Sequence, residues 1–231
     1  MNIIDKDIDG GKAFDWGRTS ADYARFRDIY PQEFYDRIIG RNLCVEGQNV
    51  LDLGTGTGVL PRNMYRHGAK WTGTDISEEQ IAQARILSEG MDITYYAAPA
   101  ERIDFSDNAF DVVTACQCFW YFNHKKLALQ YNPAWSGAGE TMHPIVVPEI
   151  YRESFELTYH EEYFLQVPFT RESWHGRMKT CRGIGASLSE EDILSWEQEH
   201  ISLLSEIAPE EFTILHYGAM AELTAYGHQA G

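Results

Sequence analysis

The run Val50-Leu51-Asp52-Leu53-Gly54-Thr55-Gly56-Thr57-Gly58-Val59-Leu60 constrains the fold more than any other part of the chain. A short apolar strand ends in glycines at alternate positions, and residues suited to a helix follow at once. Glycines belong there if the backbone bends tightly and a ligand approaches where a β-carbon would collide. Trp71-Thr72-Gly73-Thr74-Asp75-Ile76 reads as the next strand, and Asp75 stands 21 residues beyond Gly54. An acid at the end of that strand can accept hydrogens from both hydroxyls of a ribose. A glycine loop with an acid at this distance is a nucleoside-binding arrangement on an α/β sheet.

The flanking sequence continues the alternation. Residues 1–13 read as a tail. Ser20 to Ile39 is helical and interrupted at Tyr30-Pro31, because proline disfavours helical backbone in the residue before it. Asn49–Leu53 is the first strand, with Val59–His67 the helix after the loop. Trp71–Asp75 is the second strand, and Ser77 caps a helix that starts with Glu78 and Glu79, where the helix dipole favours negative charge. Ile93–Ala97 and Phe110–Cys116 are the third and fourth strands. Strands alternating with helices predict a Rossmann-like, doubly wound sheet, mostly parallel, with helices on both faces.

The glycine spacing distinguishes between nucleosides. A dinucleotide fingerprint, Gly-x-Gly-x-x-Gly, offers a helix amino terminus to a pyrophosphate. Here the spacing is Gly-x-Gly-x-Gly, and Asp52 precedes it by two residues. A carboxylate at that point repels a pyrophosphate and suits a ligand carrying an ammonium or sulfonium charge. The segment resembles motif I of the class I S-adenosylmethionine-dependent methyltransferases. Tyr96-Ala97-Ala98-Pro99-Ala100-Glu101, Ile103-Asp104-Phe105 and Phe110-Asp111-Val112-Val113 resemble that family's third strand, adenine loop and fourth strand. Tyr23-Ala24-Arg25-Phe26-Arg27-Asp28-Ile29-Tyr30-Pro31 resembles the amino-terminal helix of its small-molecule members, of the ubiquinone and menaquinone methyltransferase type.

The resemblance implies a cofactor, S-adenosylmethionine, with S-adenosylhomocysteine as product, and direct in-line transfer of the methyl group to a small molecule. It implies that Asp52 lies by the methionine moiety and that Gly54, Thr55, Gly56 and Gly58 form the loop beneath it. Asp75, with Ile76 beside it, would hold the ribose, and Ala100 and Glu101 would border the adenine. Tyr23 and Arg27 would cap the cofactor and meet its carboxylate. Cys116, Gln117 and Cys118 would stand where cofactor and acceptor meet.

No residue declares itself catalytic, as expected when the enzyme's main task is alignment. A base is needed only if the acceptor must lose a proton before attack. His143, in Met142-His143-Pro144, is the weak candidate, set against an ordinary solvated loop histidine. Trp120, Trp135 and Trp174 are guesses for substrate walls. Cys116 and Cys118 alone cannot complete a four-ligand zinc site, and His160-Glu161-Glu162 lacks the paired histidines of a zinc hydrolase helix, so no metal is expected. Two other classes stay open: a nicotinamide-dependent oxidoreductase, and a protein that binds a nucleoside cofactor without turnover.

Charge narrows the partners. The net formal charge is −16, and Glu149–Glu211 carries 14 acidic side chains against 5 Lys or Arg. Nucleic-acid backbones and anionic membrane surfaces are bound by Lys and Arg, so both are disfavoured. The amino-terminal residues carry acids where a signal peptide would carry bases, and no apolar run approaches a membrane span. A cytoplasmic protein with reduced thiols is expected, as a monomer or homodimer.

The alternation fails once. After Asn123-His124-Lys125-Lys126-Leu127 the family pattern calls for a turn and an apolar fifth strand, yet Leu129-Gln130 runs straight into Tyr131-Asn132-Pro133-Ala134-Trp135. A central strand cannot be dropped without exposing unpaired backbone. Either a segment near Leu129 is missing from the sequence, the favoured reading, or the sheet is rebuilt. The expected order then resumes: a strand over Ser154–Gln166, helices over Ser173–Cys181 and Ser189–Ile207, and a last strand over Phe212–Leu223. One domain is expected, with residues 1–46 as tail and capping helices, 47–129 as the cofactor-binding core, and 130–231 as the rest of the sheet with inserted cap helices.

Overall fold

The computed structural model describes residues 13–99, 105–106, 108–116, 144, 146–147 and 149–226. Its first half holds a four-stranded parallel sheet in the order β3-β2-β1-β4, with β1 Asn49–Leu53, β2 Lys70–Asp75, β3 Ile93–Ala97 and β4 Val112–Thr114. Helices α1 (Ser20–Phe26) and α2 (Gln32–Gly40) precede it, α3 (Val59–Met64) follows β1, and α4 (Glu78–Leu87) follows β2. Ser77 caps α4 as expected, its hydroxyl accepting from the Gln80 amide.

Register explains which side of the sheet is covered. Val50 pairs with Trp71 and Trp71 with Ile93, so these side chains share a face. Tyr35 and Ile38 of α2 and Leu60 and Met64 of α3 pack with Val50 and Trp71. Ile81 and Ala84 of α4 pack with Tyr95, two residues along β3 on that same face. The opposite face presents Tyr96 and Val113 as exposed side chains. The described helices therefore cover one face, and the expected cover of the second lies outside the described residues. So does the stretch around Leu129 on which the fifth strand depends. Only three residues of β4 pair, with Val50–Asp52, against the seven-residue strand expected from the sequence.

The second half departs from expectation in placement. β5 (Phe155–Thr170) and β6 (Glu211–Ala225) pair antiparallel, as the terminal strands should, but they form a separate two-stranded sheet instead of extending the parallel one. Between them in sequence lie α5 (Arg171–Lys179) and α6 (Glu190–Ile207). Every strand in a two-stranded ribbon is an edge, which is how Pro168 is tolerated inside β5. Alternate residues Tyr163, Leu165, Val167 and Phe169 are buried against Trp174 and Met178 of α5 and Trp196 and Leu204 of α6. Phe34 of α2 and Met220 of β6 pack against both clusters. Salt bridges Arg37–Glu161 and Arg41–Glu222 tie α2 to the ribbon, with Arg37 also over the Tyr163 ring.

Helix α5 begins at Arg171, capped by Thr170. Thr170 accepts from the Ser173 amide, and Ser173 returns a bond from the Thr170 amide. The sequence reading took Ser173 for the helix start; it is the inner member of a capping box.

Candidate active site

The carboxyl ends of β1 and β2 converge on the glycine loop. Gly54, Gly56 and Gly58 have φ of 64°, 56° and 75°, in the left-handed region that L side chains rarely adopt. The loop is fastened on two sides. Thr55 donates its amide to the Thr74 carbonyl at 2.9 Å, and Gly56 donates its amide to Asp75 Oδ2 at 2.9 Å. Asp75 Oδ1 accepts from the Ser77 amide at 2.9 Å, so this carboxylate joins the loop to the cap of α4. Burial raises the Asp75 pKa, opposed by these backbone bonds. Each carboxylate oxygen has a second acceptor direction beyond the amide it already binds.

The glycines differ in what surrounds them. A β-carbon on Gly54 would meet nothing within 4 Å, whereas one on Gly58 would lie 2.2 Å from the Tyr95 hydroxyl. That hydroxyl is itself bonded to Ser88 Oγ at 2.9 Å in the core, so it cannot step aside freely. Gly58→Ala should therefore cost roughly 2–5 kcal/mol, a left-handed alanine plus overpacking, while Gly54→Ala costs only the backbone part, roughly 1–2 kcal/mol. Denaturant melts of both variants check this; equal losses would contradict the geometry.

Asp52 is the most unusual group of the site. It is 2% exposed, and Thr114, its neighbour on β4, donates to Oδ1 at 2.7 Å. Burial pushes its carboxyl up to about 6, against that hydrogen bond, and the nearby Asp75 adds to the rise. An isolated acid in such a place is costly unless a cation joins it. The register alone places Thr114 opposite Asp52, a partner the sequence reading passed over.

Asp52, Gly54 and Thr55 line one cleft together with Tyr23, Arg27, Tyr30, Phe34, Val59, Leu60 and Cys116. Tyr23 and Arg27 are one turn apart on and just after α1. The Tyr23 ring lies 3.6 Å from where a Gly56 β-carbon would stand, and the Arg27 guanidinium sits 5.0 Å from the centre of that ring. Arg27 is 7% exposed and donates Nε to Thr180 Oγ1 at 2.7 Å. Tyr30 and Phe34 stack with ring centres 4.3 Å apart. Neither is among the site residues expected from the sequence, where Tyr30 marks only the break before Pro31.

Of the residues expected at the site, Tyr23, Arg27, Asp52, Gly54, Thr55 and Cys116 meet in the cleft. Gly56, Gly58 and Asp75 build the loop beside it, and Ile76 follows Asp75, 41% exposed. Trp174 does not belong to it. That side chain is fully buried, edge-on to Phe169 and Phe212 in the core of the second half, so its guessed role as a substrate wall is withdrawn. Ala100, Glu101, Gln117, Cys118, Trp120, Trp135 and His143 lie outside the described residues. Among the described residues no group of three His, Cys, Asp or Glu could hold a metal, and no helix is long and apolar enough to cross a membrane.

Comparison with known proteins finds relatives for part of the chain. Residues 50–131 match the family model of a methyltransferase domain. The chain is similar to the ubiquinone biosynthesis O-methyltransferase of Sodalis glossinidius, 34% identical over 105 residues, which cover 44% of this chain and 42% of that one. A second such enzyme, from Nitrosococcus oceani, is 31% identical over 102 residues, covering 43% of this chain and 42% of its own. The chain thus spans less than half the length of these curated relatives. A crystal structure of a SAM-dependent methyltransferase from Thiobacillus denitrificans with S-adenosyl-L-homocysteine aligns at a TM-score of 0.49 and 19% identity, covering 91% of this chain and 98% of that one. That likeness is too loose to carry function. Residues 50–131 of the chain, from β1 onward, are thus similar to a methyltransferase domain.

Proposed function

We propose that the protein transfers the methyl group of S-adenosylmethionine to a small-molecule acceptor. The observation that carries this reading is the buried Asp52 carboxylate in the same cleft as the Arg27 guanidinium, beside a glycine loop clamped by Asp75. One acid and one base in a single cleft suit the ammonium and carboxylate of an amino-acid moiety. The ends of Asp75 suit the ribose hydroxyls, and Ile76, half open at the end of β2, suits the face of an adenine. A pyrophosphate would meet a buried carboxylate of its own sign, which disfavours a dinucleotide.

When bound, S-adenosylmethionine supplies an electrophilic methyl group on a sulfonium. The chain's own contribution is alignment: Asp52 and Arg27 fix one end, Asp75 the other, and the Tyr23 ring closes over the loop. Positioning of this kind contributes on the order of 7–11 kcal/mol in well-oriented model reactions. Tyr30, Phe34 and Leu60 make the remaining cleft wall largely apolar, which favours a small apolar or aromatic acceptor over a polyanion.

The relatives are named as O-methyltransferases of ubiquinone biosynthesis, so oxygen acceptors come first in any panel. Incubation of the protein with a whole-cell metabolite extract and isotopically labelled S-adenosylmethionine, read by mass spectrometry, tests the proposal. The expected result is label in a small molecule together with S-adenosylhomocysteine. Cofactor binding without labelled product from any extract would instead favour a non-catalytic binder.

A further inference from the structure

The Arg27 side chain is not aimed by its own helix alone. Its Nε donates to Thr180 Oγ1 at 2.7 Å, a residue 153 positions away at the end of α5. Thr180 is fully buried, and its hydroxyl donates in turn to the Arg177 carbonyl at 2.7 Å. A hydroxyl has one hydrogen. With that hydrogen committed to Arg177, the oxygen must present a lone pair to Arg27, and the direction of the guanidinium is set.

The turn after α5 grips the amino-terminal segment at further points. The Asp15 amide donates to the Ala186 carbonyl at 2.9 Å, and Arg18 Nη1 donates to the Leu188 carbonyl at 3.0 Å. Gly185 lies so close that a β-carbon there would stand 2.7 Å from Thr19 Cγ2. Along α5 itself, Gly176 leaves room for the Phe26 ring, and Lys179 pairs with Asp22 at 3.3 Å. Helix α1, which brings Tyr23 to the glycine loop, is thus seated on the carboxyl-terminal half of the chain.

We propose that Thr180 is a positioning residue for ligand recognition. It holds Arg27 so that the guanidinium meets the carboxylate of the amino-acid moiety, and the turn over 180–188 thereby governs that half of the site. This rests on the reading of the cleft as an S-adenosylmethionine site. It also gives the carboxyl-terminal half a role in cofactor binding, beyond the remaining strands and inserted cap helices expected there from the sequence.

Two ligands separate the roles. S-adenosylhomocysteine carries the amino-acid moiety, and methylthioadenosine is a nucleoside thioether without it. By calorimetry, Thr180→Val, which keeps the shape and removes the hydroxyl, should weaken S-adenosylhomocysteine binding about tenfold and leave methylthioadenosine binding unchanged. Thr180→Ala, which cannot clash, carries the same expectation, and Thr180→Ser should retain wild-type affinity for both. In an Arg27→Met background, Thr180→Val should add nothing, because the two act through one contact. Equal weakening of both ligands, or no change in either, would overturn the proposal. Failure of the wild-type protein to bind S-adenosylhomocysteine at all would instead overturn the cofactor reading beneath it.

Discussion

Asp52→Asn should make the empty protein more stable while removing most of its affinity for S-adenosylmethionine. The folded protein holds the Asp52 carboxyl at about 6, above its ordinary 3.8. Between those values the folded state binds the proton more tightly than the unfolded chain, so stability is present at low pH and is lost as pH rises through about 6. At neutral pH the ionised carboxylate costs about 3 kcal/mol. Asparagine removes that cost and can still accept the Thr114 hydroxyl, although its amide hydrogens need new partners. A net gain of about 1–3 kcal/mol is expected near pH 7.5, shrinking towards zero or below near pH 4, where the wild-type acid is protonated. Ligand binding runs the other way. A cationic moiety favours the ionised carboxylate, so wild-type affinity should be full above about pH 6 and fall as pH drops below it. The asparagine variant should bind weakly at every pH, with that dependence gone. Denaturant melts and calorimetry across the pH range check both halves; a destabilised variant with intact affinity would contradict them.

Asp75→Ala should lower affinity by roughly 3 kcal/mol, more than a hundredfold, because the ribose loses charge-assisted acceptors worth about 1.5–3 kcal/mol each. The structure adds a second expectation. The carboxylate accepts from the Gly56 and Ser77 amides, and alanine leaves both without it. A stability loss of about 1–3 kcal/mol should therefore accompany the affinity loss. Calorimetry on the folded variant reads the first and a denaturant melt the second. Unchanged affinity would remove Asp75 from the site.

What the sequence could show was local. The bounds of β1 and β3 follow from apolar runs, and Ser77 and Ser189 cap helices because short hydroxyl side chains satisfy first-turn amides wherever they precede a helical run. Thr170 and Ser173 are both hydroxyl residues spaced by three, so only the backbone decides which is the cap. The motif around Gly54 was legible because left-handed backbone and close approach demand glycine at fixed positions. Long-range relations were not. Thr114 meets Asp52 through strand register, and Thr180 meets Arg27 across 153 positions; neither threonine has a local signature. A tryptophan on a short helix, like Trp174, fits a core or a cleft equally well until its neighbours are known. The separate ribbon of β5 and β6 was misplaced for the same reason, since pairing between two strands says nothing about the sheet they join.

The central claim is that the cleft of Asp52, Arg27 and the glycine loop is an S-adenosylmethionine site. Calorimetric titration of the protein with S-adenosylmethionine and, separately, with NADH, at about pH 8 where Asp52 is ionised, tests it most directly. Saturable one-site binding of S-adenosylmethionine, with no heat from NADH, is the predicted result. Saturable binding of NADH, or no binding of S-adenosylmethionine by the folded protein, would contradict it.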